Sequence, residues 1–387
     1  MLHDVYDVFT SVTIFILGLI VISLLRKYFF VSLIRAWSLY LWHTMLCIAY
    51  AIFILNYGGD AYAYYLKSIE LDSEHYLFGR YFGTGAVVHI LAPFTQFLKF
   101  NFLASCLIFN IFGSVALVCF YGAMKSVINE SSLNVKRFCS ILIILPSISF
   151  WSSGVGKDAL SFMSVCLICW SSLNVKNRLW LLVFSIFIML LVRPHIAGLI
   201  TIALFMSLAF NKSLPVITRL FLIIISSGSA VIMIPFALNY AGVEGGPSLS
   251  TISDYVDHRQ TLNSQGGSSL DISSMTYPEQ VFSYLFRPLP FEINSITTLL
   301  SSLENVILLL MFSFSLMIYF KVKARKVKFD FQVSFFVFYI LGSLTILATT
   351  TANLGIAVRQ KWMVMPFIIL ISLTLIKTYF KVKNERN

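Results

Sequence analysis

Four basic residues of this chain stand beside prolines, glycines or abrupt turns between apolar runs. Lys157 closes Pro146-Ser147-Ile148-Ser149-Phe150-Trp151-Ser152-Ser153-Gly154-Val155-Gly156-Lys157-Asp158, and Arg193 opens Arg193-Pro194-His195. Arg287 lies in Phe286-Arg287-Pro288-Leu289-Pro290-Phe291-Glu292, and Arg359 in Asn353-Leu354-Gly355-Ile356-Ala357-Val358-Arg359-Gln360-Lys361-Trp362. Guanidinium groups bind phosphate oxygens bidentately, and a small-residue turn with a lysine can hold an anion at a helix N-terminus. A converging set would suit a lipid diphosphate at a membrane surface. Three groups are candidate general bases. They are Asp60 in Asn56-Tyr57-Gly58-Gly59-Asp60-Ala61-Tyr62, then Glu292, then His195.

Each of these residues also has a plainer reading. Asp60 can be a helix N-cap, Lys157 a lysine reaching to the membrane interface, and Arg193 an anchor for a lipid headgroup. His195 can be a hydrogen-bonded structural histidine. Glu292 can simply neutralise Arg287 within its loop, and Arg359 can be an exception to the charge distribution. The Gly-x-Gly-Lys-Asp tract lacks the spacing of a nucleotide-binding P-loop.

The elements that must position these residues follow from composition. The chain has 387 residues, of which 58% are hydrophobic and only 12% charged, with a mean hydropathy of +0.85. A soluble domain carries about twice that charged fraction. Backbone groups in hydrocarbon must be satisfied internally, so long apolar runs mean helices, and the alternating pattern of a membrane β-barrel is missing. The expected fold is therefore all-α, a polytopic integral membrane protein forming a single membrane domain over 1–387.

About eleven spans are expected at roughly 20 apolar residues each: 8–25, 37–55, 102–121, 138–151, 159–173, 179–192, 196–210, 217–238, 298–319, 331–349 and 362–380. Residues 80–98 are apolar but carry Arg80, His89, Pro93 and Gln96, and read as an interfacial or re-entrant segment. The acidic start, MLHDVYD, lacks the basic region of a cleaved signal peptide.

Basic residues favour the cytoplasmic side of a membrane. With the N-terminus outside, alternation places 19 of the 28 Lys and Arg residues in cytoplasmic segments and the C-terminus inside. The net charge of +11 is then assigned to an anionic membrane surface, which excludes nucleic acid as the partner. It also leaves Lys157, Arg193, Arg287 and Arg359 outside, together with one long loop at 239–297. That loop changes near Thr276 from Gly- and Ser-rich to aromatic and proline-stiffened. All six cysteines lie in apolar runs, so they read as packing residues rather than a disulfide framework. No metal-ligand cluster or cofactor motif stands out.

With these features in place, the chain resembles the O-antigen and capsular polysaccharide repeat-unit polymerases of bacteria (Wzy type). The resemblance rests on Gly58-Gly59-Asp60-Ala61-Tyr62-Ala63-Tyr64-Tyr65, the 146–160 hairpin, Phe286–Glu292, and Leu354–Pro366. It implies a bacterial inner-membrane glycosyltransferase working at the periplasmic face without metal or nucleotide sugar. Its substrates would be undecaprenyl-diphosphate-linked oligosaccharides, with a chain-length regulator as an open partner. Arg193, Arg287, Arg359 and Lys157 would hold the departing diphosphate; Asp60, Glu292 or His195 would take the proton of the attacking hydroxyl.

Rival readings are an O-antigen ligase, which uses the same donor, and a polyprenyl-monophosphate sugar transferase, which would call for paired carboxylates where Asp60 has no adjacent acidic neighbour. A non-enzyme flippase or transporter would be expected to show inverted repeats and charges at mid-membrane. No internal repeat is evident, and the spans look almost free of charge at their centres.

Overall fold

The structure is a computed structural model that describes residues 4–71, 81–129, 131–211, 214–240, 257, 260–261, 268–321 and 330–384. Arg80, the first part of the 239–297 loop and most of the basic stretch 321–328 lie outside the described residues. The described residues are overwhelmingly helical. Their contacts divide into two compact units, Met1–Pro194 and His195–Asn387.

The first unit contains α1 (Val5–Leu25), α2 (Leu33–Tyr57), α3 (Asp60–Ile69), α4 (Thr84–Ala92), α5 (Phe102–Val127), α6 (Leu133–Leu142), α7 (Pro146–Trp151), α8 (Lys157–Ser172) and α9 (Val175–Val192). The second contains α10 (Pro194–Ala209, beginning at the last residue of the first unit), α11 (Val216–Tyr240), α12 (Tyr277–Phe286), α13 (Ile296–Lys321), α14 (Phe331–Thr350), α15 (Leu354–Gln360) and α16 (Met365–Asn384). Helix starts are marked by polar caps that satisfy exposed amide donors. Asp4 accepts from the Asp7 amide at 2.8 Å, Asn101 from Ala104 at 2.8 Å and Asp330 from Val333 at 3.0 Å.

Among the described residues, six helices are long and apolar enough to cross a membrane: α1, α2, α5, α9, α13 and α14. A seventh candidate is the pair Leu354–Met363 and Met365–Phe380, bent by 58°. The chain is thus a multi-pass, all-helical membrane protein. The other expected spans take different forms. Segment 138–151 is divided between α6 and α7, with Pro146 at the start of α7 because proline is tolerated in a first helical turn. Segments 159–173 and 196–210 correspond to α8 and α10, each of 16 residues, and 217–238 lies within α11. Residues 84–97 form α4 and a π-helical turn at Pro93–Phe97.

In the first unit α5 is the axis, with 94% of its apolar window buried. It packs against α1, α2 and α8, and α8 packs in turn against α9. Water supplies no drive for helices to associate within hydrocarbon, so small residues that allow close approach matter more. Ser105, Ser114, Ser161 and Ser164 are all buried on α5 and α8. Gly113 on α5 shows the tightness of the fit, since a Cβ there would stand 2.2 Å from the Ser152 carbonyl oxygen.

That approach leaves room for a buried polar link. His43 Nδ1 lies 2.5 Å from Asn110 Oδ1, His43 Nε2 lies 3.0 Å from Ser152 Oγ, and Asn110 donates to Thr44 Oγ1 at 2.8 Å. The link ties α2 and α5 to Ser152, the residue that ends α7. All six cysteines are free and buried, as packing residues should be.

The second unit packs α13 against α16 and α12 against α14. Phe336 and Tyr339 meet Phe367 at ring-centroid distances of 5.0 and 4.6 Å. The end of the long loop is tied down by an antiparallel bridge between Ser269 and Asn353, which sets the start of α15. Here Leu270 donates to Ala352 and Leu354 to Ser268, each at 2.9 Å.

Candidate functional site

Lys157 and Arg193 form one group in the first unit, and Arg287 and Glu292 another in the second, while Asp60 and His195 belong to neither. In the first, the start of α8, the end of α9 and the start of α4 meet. Gly83 on the approach to α4 donates its amide to Leu191 O at 2.7 Å, one residue before α9 ends. Arg193 follows α9 directly, with Pro194 limiting the backbone beyond it. Its Nη2 donates to Asp158 Oδ1 at 2.7 Å and its Nε to Ser161 Oγ at 3.1 Å. The pair is mostly out of solvent, with side-chain exposures of 11% and 12%. Lys157 donates to Thr84 Oγ1 at 3.3 Å. Lys157 and Arg193 are therefore brought together, on a frame that includes Thr84, Asp158 and Ser161.

Asp60 stands elsewhere in this unit, exposed at the first position of α3. It is not the N-cap; Gly59 occupies that place. Gly58 and Gly59 have φ of +76° and +142°, values that favour glycine and turn the chain sharply from α2 into α3. The carboxylate sits at the positive end of a short helix. His195, in the second unit, is the second residue of α10 and half-buried.

The second group is the turn between α12 and α13. The Glu279 carboxylate accepts from the Thr276 amide at 2.7 Å and so closes the first turn of α12. The helix ends at Phe286, and Arg287 continues in extended backbone. Arg287 Nε donates to Glu292 Oε1 at 2.9 Å, and its Nη2 donates to the same oxygen. The other carboxylate oxygen, Glu292 Oε2, accepts from the Leu289 amide at 2.7 Å. The internal Arg287–Glu292 ion pair is thus formed.

Partial burial raises the Glu292 carboxyl pKa, but hydrogen bonds from Arg287 and the Leu289 amide, with the charge of Arg287, hold it below its ordinary value. A carboxylate so stabilised is a weaker base than one left alone. Its placing suits holding Arg287 better than accepting a proton. Arg359 lies on α15, which packs against α12.

Both arginines are held in the same manner. In each, a carboxylate engages one edge of the guanidinium, and the bonds that hold it use Nε and Nη2. The remaining N–H groups are donors suited to phosphate oxygens. Among the described residues there is no group of three or more His, Cys, Asp or Glu side chains able to hold a metal ion.

Sequence reasoning missed Asp158, Thr84 and Ser161 around the first arginine. It also missed Glu304 and Asn305 on α13, which are buried within an apolar run at 2% and 0% exposure. The signal for these two was present: adjacent ionisable and amide side chains inside a membrane span are unusual enough to single out. The chain matches no family model, no curated protein and no solved structure.

Proposed function

We propose that this protein is a glycosyltransferase that polymerises undecaprenyl-diphosphate-linked oligosaccharide repeats at the periplasmic face of the bacterial inner membrane. The observation that carries this reading is the pair of helix-end arginines, Arg193 and Arg287. Each is partly buried, braced by a carboxylate, and left with donors for a diphosphate.

In the reaction a sugar hydroxyl of one lipid-linked repeat attacks the anomeric carbon of the lipid-linked chain. The bond from that carbon to the diphosphate oxygen breaks, and negative charge collects on the departing diphosphate. Preorganised cations stabilise such charge without having to reorganise during the step. Arg193, with Lys157 beside it, is such a cation in the first unit, and Arg287 and Arg359 are such cations in the second. The hydroxyl proton passes to Asp60 or His195, while Glu292 acts mainly by holding Arg287. The reaction takes its free energy from cleavage of the lipid diphosphate linkage and calls for no nucleotide sugar.

The topology that goes with this reading has about eleven spans, a periplasmic N-terminus, a cytoplasmic C-terminus and a periplasmic loop at 239–297. Positive-inside asymmetry supports it, with 19 of 28 basic residues on the cytoplasmic side. A chain-length regulator is a candidate partner.

Complementation of a deletion strain tests the proposal. Loss of a polymerase leaves lipid A–core bearing a single repeat, whereas loss of a ligase leaves unmodified core. Arg193→Lys, Arg287→Lys and Arg359→Lys are expected to shorten the polymer or reduce its amount. Full length and amount in all three would end the diphosphate assignment.

A further inference from the structure

Lys361 is completely buried. It lies in a 3-10 turn, Lys361–Met363, at the bend between α15 and α16. A lysine out of water in a membrane protein is costly unless a carboxylate or a polar network holds it. Glu304 on α13, 2% exposed, is the acid whose charge acts on Lys361. Its neighbour Asn305 is also fully buried and accepts a hydrogen bond from Lys361 Nζ through Oδ1.

The other end of the Asn305 amide reaches the turn described above. Nδ2 donates to the Pro288 carbonyl oxygen at 3.0 Å. An ammonium group has donors only, whereas a carboxamide has one accepting end and one donating end. Lys361 therefore selects the orientation of the Asn305 amide, with Oδ1 toward itself and Nδ2 toward Pro288. Exchanging the two ends would set donor against donor at Lys361 and acceptor against acceptor at Pro288.

We infer that Lys361, Asn305 and Glu304 form a buried positioning relay that fixes the Arg287–Glu292 turn. Glu304 offsets the charge of the buried ammonium, the ammonium orients the Asn305 amide, and that amide holds the backbone beside Arg287. The guanidinium is thus fixed from two directions: Glu292 holds its side chain, and Asn305 holds the carbonyl of Pro288, the next residue. None of the three relay residues need touch substrate. Their importance to catalysis rests on the proposed role of Arg287; their hold on the turn does not.

Amide hydrogen exchange on the full-length protein in detergent tests the relay. Lys361→Met alone would leave Glu304 buried with its compensating charge removed. The variant to compare is therefore Glu304→Gln with Lys361→Met, which removes both charges and keeps Asn305; Asn305→Leu is the second variant. In each, the Leu289 amide should exchange at least about tenfold faster than in the unaltered protein, with amides in the middle of α14 unchanged. Unchanged Leu289 exchange in a folded variant overturns the relay. Should neither variant fold, the unaltered protein decides, because Leu289 exchange as fast as that of an open chain overturns it equally.

A turnover assay with a lipid-diphosphate-linked repeat separates this inference from the proposed function. The relay variants should lower kcat by about 10–100-fold, the scale expected when a catalytic group is displaced by about 1 Å, with KM changing much less. Faster Leu289 exchange with unaltered kcat would uphold the relay and defeat the role given to Arg287. Lower kcat with unaltered Leu289 exchange would defeat the relay.

Discussion

If Asp158 holds Arg193 at the end of α9, the two should be energetically coupled to a degree set by their burial. The perturbation is a double-mutant cycle of Asp158→Asn, Arg193→Gln and the two together. Exposed ion pairs contribute about 0.2–1 kcal/mol, whereas removing one partner of a buried pair costs about 3–5 kcal/mol. With side-chain exposures of 11% and 12% and a contact of 2.7 Å, this pair stands nearer the buried limit.

The carboxamide introduced by Asp158→Asn would keep a neutral acceptor, and a neutral hydrogen bond retains roughly half the strength of a charge-assisted one. Ser161 at 3.1 Å remains as a second partner for Arg193. The expected loss for Asp158→Asn is therefore about 2–3 kcal/mol, with a coupling of about 1.5–2.5 kcal/mol recovered in the double variant. Thermal unfolding in detergent would read this as a fall in Tm of about 4–12 °C for the single change, taking about 2–4 °C per kcal/mol for a unit of this size. Losses in the double variant that add to within about 0.5 kcal/mol would refute the pairing argument.

Further outcomes follow from the same geometry. Glu292→Gln should speed Leu289 exchange and reduce polymer length, since it weakens three contacts to the turn. The folded pKa of Glu292 is depressed, so its contribution is present above the unfolded value of about 4.3 and is lost as pH falls through the lower folded value. A stability profile below about pH 4.3 should therefore be flatter in Glu292→Gln than in the unaltered protein. Gly113→Ala should destabilise by about 1–3 kcal/mol, because its new methyl meets Ser152 O at 2.2 Å and His43 Cε1 at 2.5 Å; a melting curve unchanged within error would contradict that packing. Asn110→Leu should cost about 1–3 kcal/mol by leaving buried polar groups of His43 and Thr44 unsatisfied, read as a lowered Tm.

Long helices were legible in the sequence because hydrocarbon enforces them: α1, α2, α5, α9, α13 and α14 all stand where apolar runs of sufficient length occur. The interruptions were less legible. Residues 138–151 form an apolar run on paper, but Pro146 starts a new helix there, and the Gly58-Gly59 pair allows a turn whose direction no periodicity reports. Arg193 and Arg287 were visible as cations beside prolines. The Glu292 partner of Arg287 was visible too, because it is only five residues away.

Asp158 was harder to read as a partner because 35 residues separate it from Arg193, and its neighbour Lys157 suggested an anion-binding turn. Glu304 and Asn305 were obscured by the hydrophobicity of α13, which averages away two polar side chains in a 26-residue helix. Lys361 stands in the sequence as one more charge of the Asn353–Trp362 tract, yet it is completely buried. Burial depends on which helices pack together, and local composition carries little of that information.

The most direct test is to give the purified, lipid-reconstituted protein a defined undecaprenyl-diphosphate-linked repeat as its sole sugar substrate. The expected result is a ladder of longer lipid-linked chains, one undecaprenyl diphosphate released for each repeat joined, and a marked slowing by Arg287→Lys. Transfer of a single repeat to a lipid A–core acceptor, with no ladder formed from the repeat alone, would contradict it.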